Sequence, residues 1–180
     1  MIELKVEPVE VLKRIAHNVA TRTEDAFYYV YPKQMVIANK VEDINVSYCV
    51  TNEIETITVQ NLGGAIVANK GDVGIAIFKK EGFEVGKNML LKVKEILSEY
   101  VPNLEIQNND LIAEGKYKLA SFASTDIGDR VVYTAIHISY NPDVDVIKAI
   151  CKKPMIKVPK GLIDYSISPN SILNKYKEKL

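Results

Sequence analysis

Nine short runs rich in β-branched and aromatic residues lie between Ala26 and Ser139, and only one long stretch with helical spacing interrupts them. They cover residues 26–30, 34–38, 55–59, 65–68, 73–78, 104–106, 111–113, 118–124 and 131–139. The interruption is Val85 to Tyr100, where Met89, Val93, Ile96, Leu97 and Tyr100 share one face and Lys87, Lys92, Lys94 and Glu95 lie elsewhere. Strands gathered in runs and broken by few helices predict an α+β fold, with helices packed on a mostly antiparallel or mixed sheet.

Turn chemistry suggests how the runs connect. Tyr31-Pro32-Lys33 separates the first two, which predicts a hairpin. Gly63-Gly64 and Lys70-Gly71-Asp72 punctuate the next three, which predicts consecutive antiparallel strands. The runs from Leu104 to Ser139, with Asp126-Ile127-Gly128-Asp129 as one turn, predict a second meander. Helices are expected over 7–21, where Val11, Leu12, Ile15 and Val19 recur at helical spacing, from Pro142 through Ile150, and over 171–180. The 180 residues suit one domain, 1–180, and no separate C-terminal accessory domain is evident.

Lys plus Arg equals Asp plus Glu at 23 each, so net charge gives no general attraction to nucleic acid or to an anionic membrane. No stretch approaches the roughly 18 apolar residues of a spanning helix, and the first residues lack a charged start followed by an apolar run. A cytoplasmic protein is the expectation. Cys49 and Cys151 have no metal-type spacing and are expected to be reduced. His17 and His137 stand without a carboxylate or nucleophile at motif spacing and are expected to be structural. Taken alone, Gly63-Gly64 is an ordinary hairpin pair, Asn109-Asp110 an ordinary turn pair, and Lys118 part of a solvated strand face.

Three segments in order change that reading. Leu62-Gly63-Gly64-Ala65-Ile66-Val67-Ala68-Asn69-Lys70-Gly71-Asp72, then Asn109-Asp110-Leu111, then Gly115-Lys116-Tyr117-Lys118-Leu119-Ala120-Ser121-Phe122-Ala123 resemble the motifs of the lipoate protein ligases and their biotin ligase and octanoyltransferase relatives. Pro32 to Asn39 and Lys157 to Ile167 extend the likeness over most of the chain. The resemblance implies ATP-dependent activation of lipoate or octanoate, less readily biotin, as an acyl-adenylate. The acyl group then passes to a lysine of a small lipoyl-type acceptor domain. It implies that Lys118 is the catalytic cation, and that Gly63, Gly64, Ala65, Gly71, Asp72, Asn109, Asp110 and Ser121 surround the ligand, Asp110 also meeting Mg²⁺. Such residue types suit this chemistry, since glycines admit close backbone approach, a lysine stabilises charge on carbonyl and phosphate oxygens, and hard oxygen ligands suit Mg²⁺.

Departures from the motifs are equally specific. The family's paired arginines fall on Thr58 and Val59, its first glycine on Leu62, its histidine on Ala68 and its asparagine on Asp72. A later glycine falls on Ser121 and a histidine-glycine pair on roughly Thr134-Ala135. Replacement positive charge is looked for at Lys70, Lys116 and Arg130. Two alternatives stay open beside the ligase: a non-catalytic module binding a ligand or protein, and an ATP-independent octanoyltransferase using Cys151, whose neighbours Lys148, Lys152 and Lys153 would favour a thiolate. Without an accessory domain, adenylation is expected to draw on a partner protein.

Overall fold

A computed structural model describes residues 2–3, 8–58, 64–80, 84–128 and 131–178. In chain order its elements are β1 (Ile2–Glu3), α1 (Pro8–Thr21), β2 (Asp25–Val30), β3 (Met35–Ala38), α2 (Val46–Thr51), β4 (Glu55–Thr58), β5 (Ala65–Ala68) and β6 (Val73–Lys79). There follow α3 (Glu84–Leu97), β7 (Leu104–Gln107), β8 (Asp110–Ala113), β9 (Tyr117–Asp126), β10 (Val132–Ile138), α4 (Val144–Ile150), β11 (Val158–Pro159) and α5 (Pro169–Glu178).

The strands form two sheets. The larger has the order β1-β2-β6-β10-β9-β8-β7, with β11 joining β9, and the smaller has the order β4-β3-β5. Most pairs are antiparallel; β1 with β2, β11 with β9 and β3 with β4 are parallel. The apolar face of α3 packs on one face of the large sheet, where Leu90, Val93, Ile96 and Leu97 are fully buried beside Leu173 and Tyr176 of α5. The opposite face carries Phe27, Tyr29, Phe78 and Tyr133, covered by Val11 and Ile15 of α1 and Met35 of β3. The small sheet closes a third cluster with α2 and α4, around Val36, Cys49 and Ile150. This arrangement is α+β with helices on a mostly antiparallel sheet, as the strand runs indicated.

The connections depart from expectation at two points. Residues 26–30 and 34–38 do not form a hairpin: β2 pairs with β6, whereas β3 enters the small sheet between β4 and β5. After β2 the backbone is tied instead to the β5–β6 turn, Tyr31 N–H donating to Asp72 O at 2.9 Å and Gly71 N–H to Tyr31 O at 2.9 Å. The runs at 55–59, 65–68 and 73–78 likewise divide between sheets, β4 and β5 flanking β3 and β6 lying in the large one. The meander from β7 to β10 is continuous, each strand antiparallel to the next. Helix α2 was not foreseen; Asn45 caps it, its side chain accepting from Tyr48 N–H at 3.2 Å. Among the described residues no helix is long and apolar enough to cross a membrane.

Candidate functional site

The site is assembled by the β7–β8 hairpin and an irregularity in β9. Gln107 and Asp110 face each other across a two-residue turn in which Asn108 takes a φ of 55°, a conformation asparagine tolerates better than most residues. Asp110 therefore opens β8, directly opposite Ser121 of β9. The register then slips: Leu111 pairs with Ala120 but Ile112 pairs with Lys118, so Leu119 is the extra residue of a β-bulge. In a regular strand residues 118 and 121 would point to opposite faces; the bulge turns both toward the same space. Lys118 Nζ lies 2.8 Å from Asp110 Oδ1, with both side chains about one-third exposed.

Two cavities meet there. The first, about 340 Å³, is walled by apolar side chains of α1, β3, β4 and β9, including Leu12, Ile15, Met35, Ile57 and Phe122. The second, about 670 Å³, is lined instead by lysines of the 148–157 segment, Lys148, Lys152, Lys153 and Lys157, with Asp43 opposing them. Gly64, Ala65, Ile66, Asp110, Lys118, Ser121 and His137 line both. Lys153 pairs with Asp43 at 3.0 Å and Lys157 Nζ donates to Gly115 O at 2.9 Å. Lys148 and Lys152 have no ion-pair partner among the described residues. At Gly64 a Cβ would meet nothing within 4 Å among the described residues, and the residue lines both cavities.

At the junction a buried carboxylate meets a partly buried imidazole. Asp72, fully buried, accepts from Tyr140 N–H at 2.7 Å and from Asn69 N–H at 2.8 Å, and its Oδ2 lies 2.9 Å from His137 Nε2. Tyr31 meets the His137 ring edge-on, with centroids 5.9 Å apart, and Tyr29 and Tyr133 complete the wall of the first cavity. Burial pushes all three phenols above their ordinary range, so they stay neutral at physiological pH.

No family model matches the sequence, and a search of curated proteins finds no match. Solved structures do resemble it. An archaeal bi-partite lipoate protein ligase from Thermoplasma acidophilum, described together with its E2 lipoyl domain, superimposes with a TM-score of 0.77 at 16% identity, covering 99% of this chain and 79% of that one. P. falciparum LipL1 in complex with lipoate gives 0.71 at 14% identity and 87% coverage, this chain spanning about half (49%) of that protein's length. Lipoate-protein ligase A bound with ATP gives 0.67 at 17%, covering 86% of this chain and 70% of that one. The chain has the lipoate/biotin protein ligase fold.

Within this ligase fold the residues singled out by sequence separate into groups. Gly64, Ala65, Asp110, Lys118 and Ser121 come together at the junction, and Asn109 lines the first cavity. Gly63 lies outside the described residues, as do Val59, Leu62 and Arg130. Gly71 and Asp72 line neither cavity. Gly71 serves the β5–β6 turn at φ +93°, with Tyr140 Cδ1 only 2.4 Å from where its Cβ would stand, and the oxygens of Asp72 are taken up by the chain's own donors. Asp72 thus presents no oxygen to either cavity, where the resemblance placed it beside the ligand. Lys70 is exposed in the turn, and Lys116 lies with its Nζ 4.7 Å from the centre of the Tyr117 ring; neither lines a cavity. The positive charge comes from 148–157 instead, lysines that the sequence alone associated with a thiol.

That thiol is not activated. Cys151 lines the second cavity, but burial pushes its pKa up, and Cys49 and Asp43 push it the same way. Cys151→Ser is expected to leave acyl transfer within about twofold of the unaltered chain, measured as acceptor mass gained over time. A loss of about a hundredfold would restore the acyl-cysteine route. His137, expected to be structural, lines both cavities; its carboxylate partner is 65 positions away, beyond any motif spacing.

Proposed function

We propose that this chain activates lipoate or octanoate as an acyl-adenylate and transfers the acyl group to a lysine of a small lipoyl-type acceptor domain. One observation carries the reading: Lys118, held by Asp110, stands where an apolar cavity meets a lysine-lined one. An acyl-adenylate has this same division, an apolar tail and an anionic nucleotide joined at one carbonyl. The first cavity falls within the size range of small-molecule sites and would take the tail. The second would take the nucleotide, its lysines supplying the attraction for phosphate that the missing arginine pair supplies elsewhere in the family. Lys118 would then stabilise the negative charge that develops on carbonyl and α-phosphate oxygens as the anhydride forms and as it is attacked.

Mg²⁺ fits this donor set as an ion shared with phosphates, since Asp110 is the hard oxygen ligand opening on both cavities and Asp43 lies on the rim of the second. There it would neutralise phosphate charge. Among the described residues no group of three or more His, Cys, Asp or Glu side chains is arranged to hold a metal, so an all-protein cage is not part of the proposal. The likeness to the bi-partite archaeal ligase supports a second polypeptide assisting the adenylation step. The raised thiol of Cys151 argues against the ATP-independent alternative.

ATP–pyrophosphate exchange with lipoate tests the nucleotide assignment, run with a partner polypeptide if the chain alone is inactive. Lys148→Ala combined with Lys152→Ala is expected to raise the KM for ATP by about a hundredfold, each lysine–phosphate contact contributing roughly 1.5 kcal/mol, with the KM for lipoate unchanged. An unchanged KM for ATP would remove the 148–157 segment from nucleotide binding.

A further inference from the structure

Asp72 and His137 fix which ring nitrogen is available for chemistry. An ionised carboxylate only accepts hydrogen bonds, and Asp72 already accepts two from the backbone N–H groups of Asn69 and Tyr140. Its contact with His137 Nε2 at 2.9 Å then requires that Nε2 carry the hydrogen, which leaves Nδ1 of the neutral imidazole as an acceptor. No hydrogen bond engages Nδ1 among the described residues, and the ring lines both cavities alongside Lys118. A buried carboxylate that holds an imidazole in one tautomer is the arrangement by which proteins orient a base.

We propose that His137 is the general base for the transfer half-reaction and that Asp72 is its positioning residue; the inference rests on the acyl-adenylate reading above. The acceptor lysine arrives as an ammonium without a lone pair. As its nitrogen bonds to the acyl carbon, the bond from that carbon to the phosphate oxygen of the adenylate breaks, and AMP departs with the electron pair. Before the attack one ammonium proton passes to His137 Nδ1, which frees the nitrogen lone pair and gives an imidazolium that Asp72 stabilises and that later loses its proton to solvent. The second proton leaves the newly bonded nitrogen for the departing phosphate, so that AMP and a neutral amide result. Lys118 serves the oxyanion, so the two cationic duties are divided between residues.

The surroundings of the ring suit a base. Tyr31, just after β2, meets it as a neutral phenol, Tyr29 of β2 and Tyr133 of β10 line the same cavity as neutral phenols, and neighbouring β6 and β9 oppose it with Gly74 and Ser121. Lys118 and Asp110 balance each other across the junction. The charged groups of the second cavity besides these are Asp43 and the lysines of 148–157.

The test supplies synthetic lipoyl-adenylate, so that it does not depend on ATP use, and measures single-turnover transfer to an apo lipoyl domain across roughly pH 5.5 to 9. Hydroxylamine trapping of the adenylate runs in parallel, because that nucleophile is already neutral. His137→Gln is expected to slow transfer to lysine by roughly 10² to 10⁴-fold and to remove the single ionisation from the pH profile. Hydroxylamine trapping and binding of a non-hydrolysable lipoyl-adenylate analogue should be unchanged. Asp72→Asn, assayed below its unfolding temperature, should slow lysine transfer in the same selective way by turning the ring to the other tautomer. Wild-type lysine transfer by His137→Gln, or an equal loss of lysine transfer and hydroxylamine trapping, overturns the proposal. If the unaltered chain uses supplied adenylate but makes none from ATP, adenylation by this chain fails and the assignment of His137 stands. If it transfers nothing from supplied adenylate, both fail.

Discussion

Replacing Lys118 with alanine is expected to lower acyl transfer by roughly 10² to 10³-fold, the usual consequence of removing one group aimed at a developing oxyanion. The fold should survive. The Lys118 side chain is about one-third exposed, and a partly solvated ion pair such as that with Asp110 contributes on the order of 1 kcal/mol or less. The apolar cavity does not depend on its charge, so lipoate binding, followed by calorimetry, should weaken far less than turnover. Loss of kcat with a preserved unfolding midpoint is therefore the signature. Turnover by Lys118→Ala at the unaltered rate would remove Lys118 from the chemistry and leave the junction of the cavities without a catalytic cation.

A second large effect concerns stability. Asp72→Ala should destabilise the chain by about 3–5 kcal/mol, read from urea unfolding with an unchanged slope. The carboxylate is fully buried, accepts from Asn69 N–H and Tyr140 N–H, and lies 2.9 Å from His137 Nε2. Removing it strands the two backbone donors and unpairs the imidazole, and an orphaned buried donor costs on the order of 1–3 kcal/mol. The three partners come from the β5–β6 turn, from β10 and from the residue that covers Gly71, so one carboxylate ties the small sheet's exit to the large sheet. A loss below about 1 kcal/mol would mean that water or a rearranged turn replaces the carboxylate.

How much of this could be read from the sequence depends on distance along the chain. The meander from β7 to β10 was legible because each strand pairs with its successor and turn residues mark each reversal. Lys118, Asp110 and Ser121 were legible through short motifs that keep their spacing. The β-bulge at Leu119, which turns Lys118 and Ser121 toward one space, leaves no mark in composition. The false hairpin had a physical reason. In β2, Phe27, Tyr28 and Tyr29 are buried in succession, so the alternation that separates an edge hairpin from a strand covered on both faces is missing. The partition of strands between two sheets is set by such coverage, and by the backbone bonds of Tyr31 to the β5–β6 turn, both long-range properties. For the same reason the pairing of Asp72 with His137, and the delivery of the 148–157 lysines to the second cavity, lay beyond any local pattern.

Acyl transfer to an acceptor lysine is reported directly by the intact mass of an apo lipoyl domain. Incubated with this chain, Mg-ATP and either lipoate, octanoate or biotin, the domain should gain one acyl group with lipoate or octanoate, and the gain should vanish with Lys118→Ala. An acceptor that keeps its original mass with all three acids, and also when lipoyl-adenylate is supplied ready-made, would contradict the account and leave the fold as a binding module.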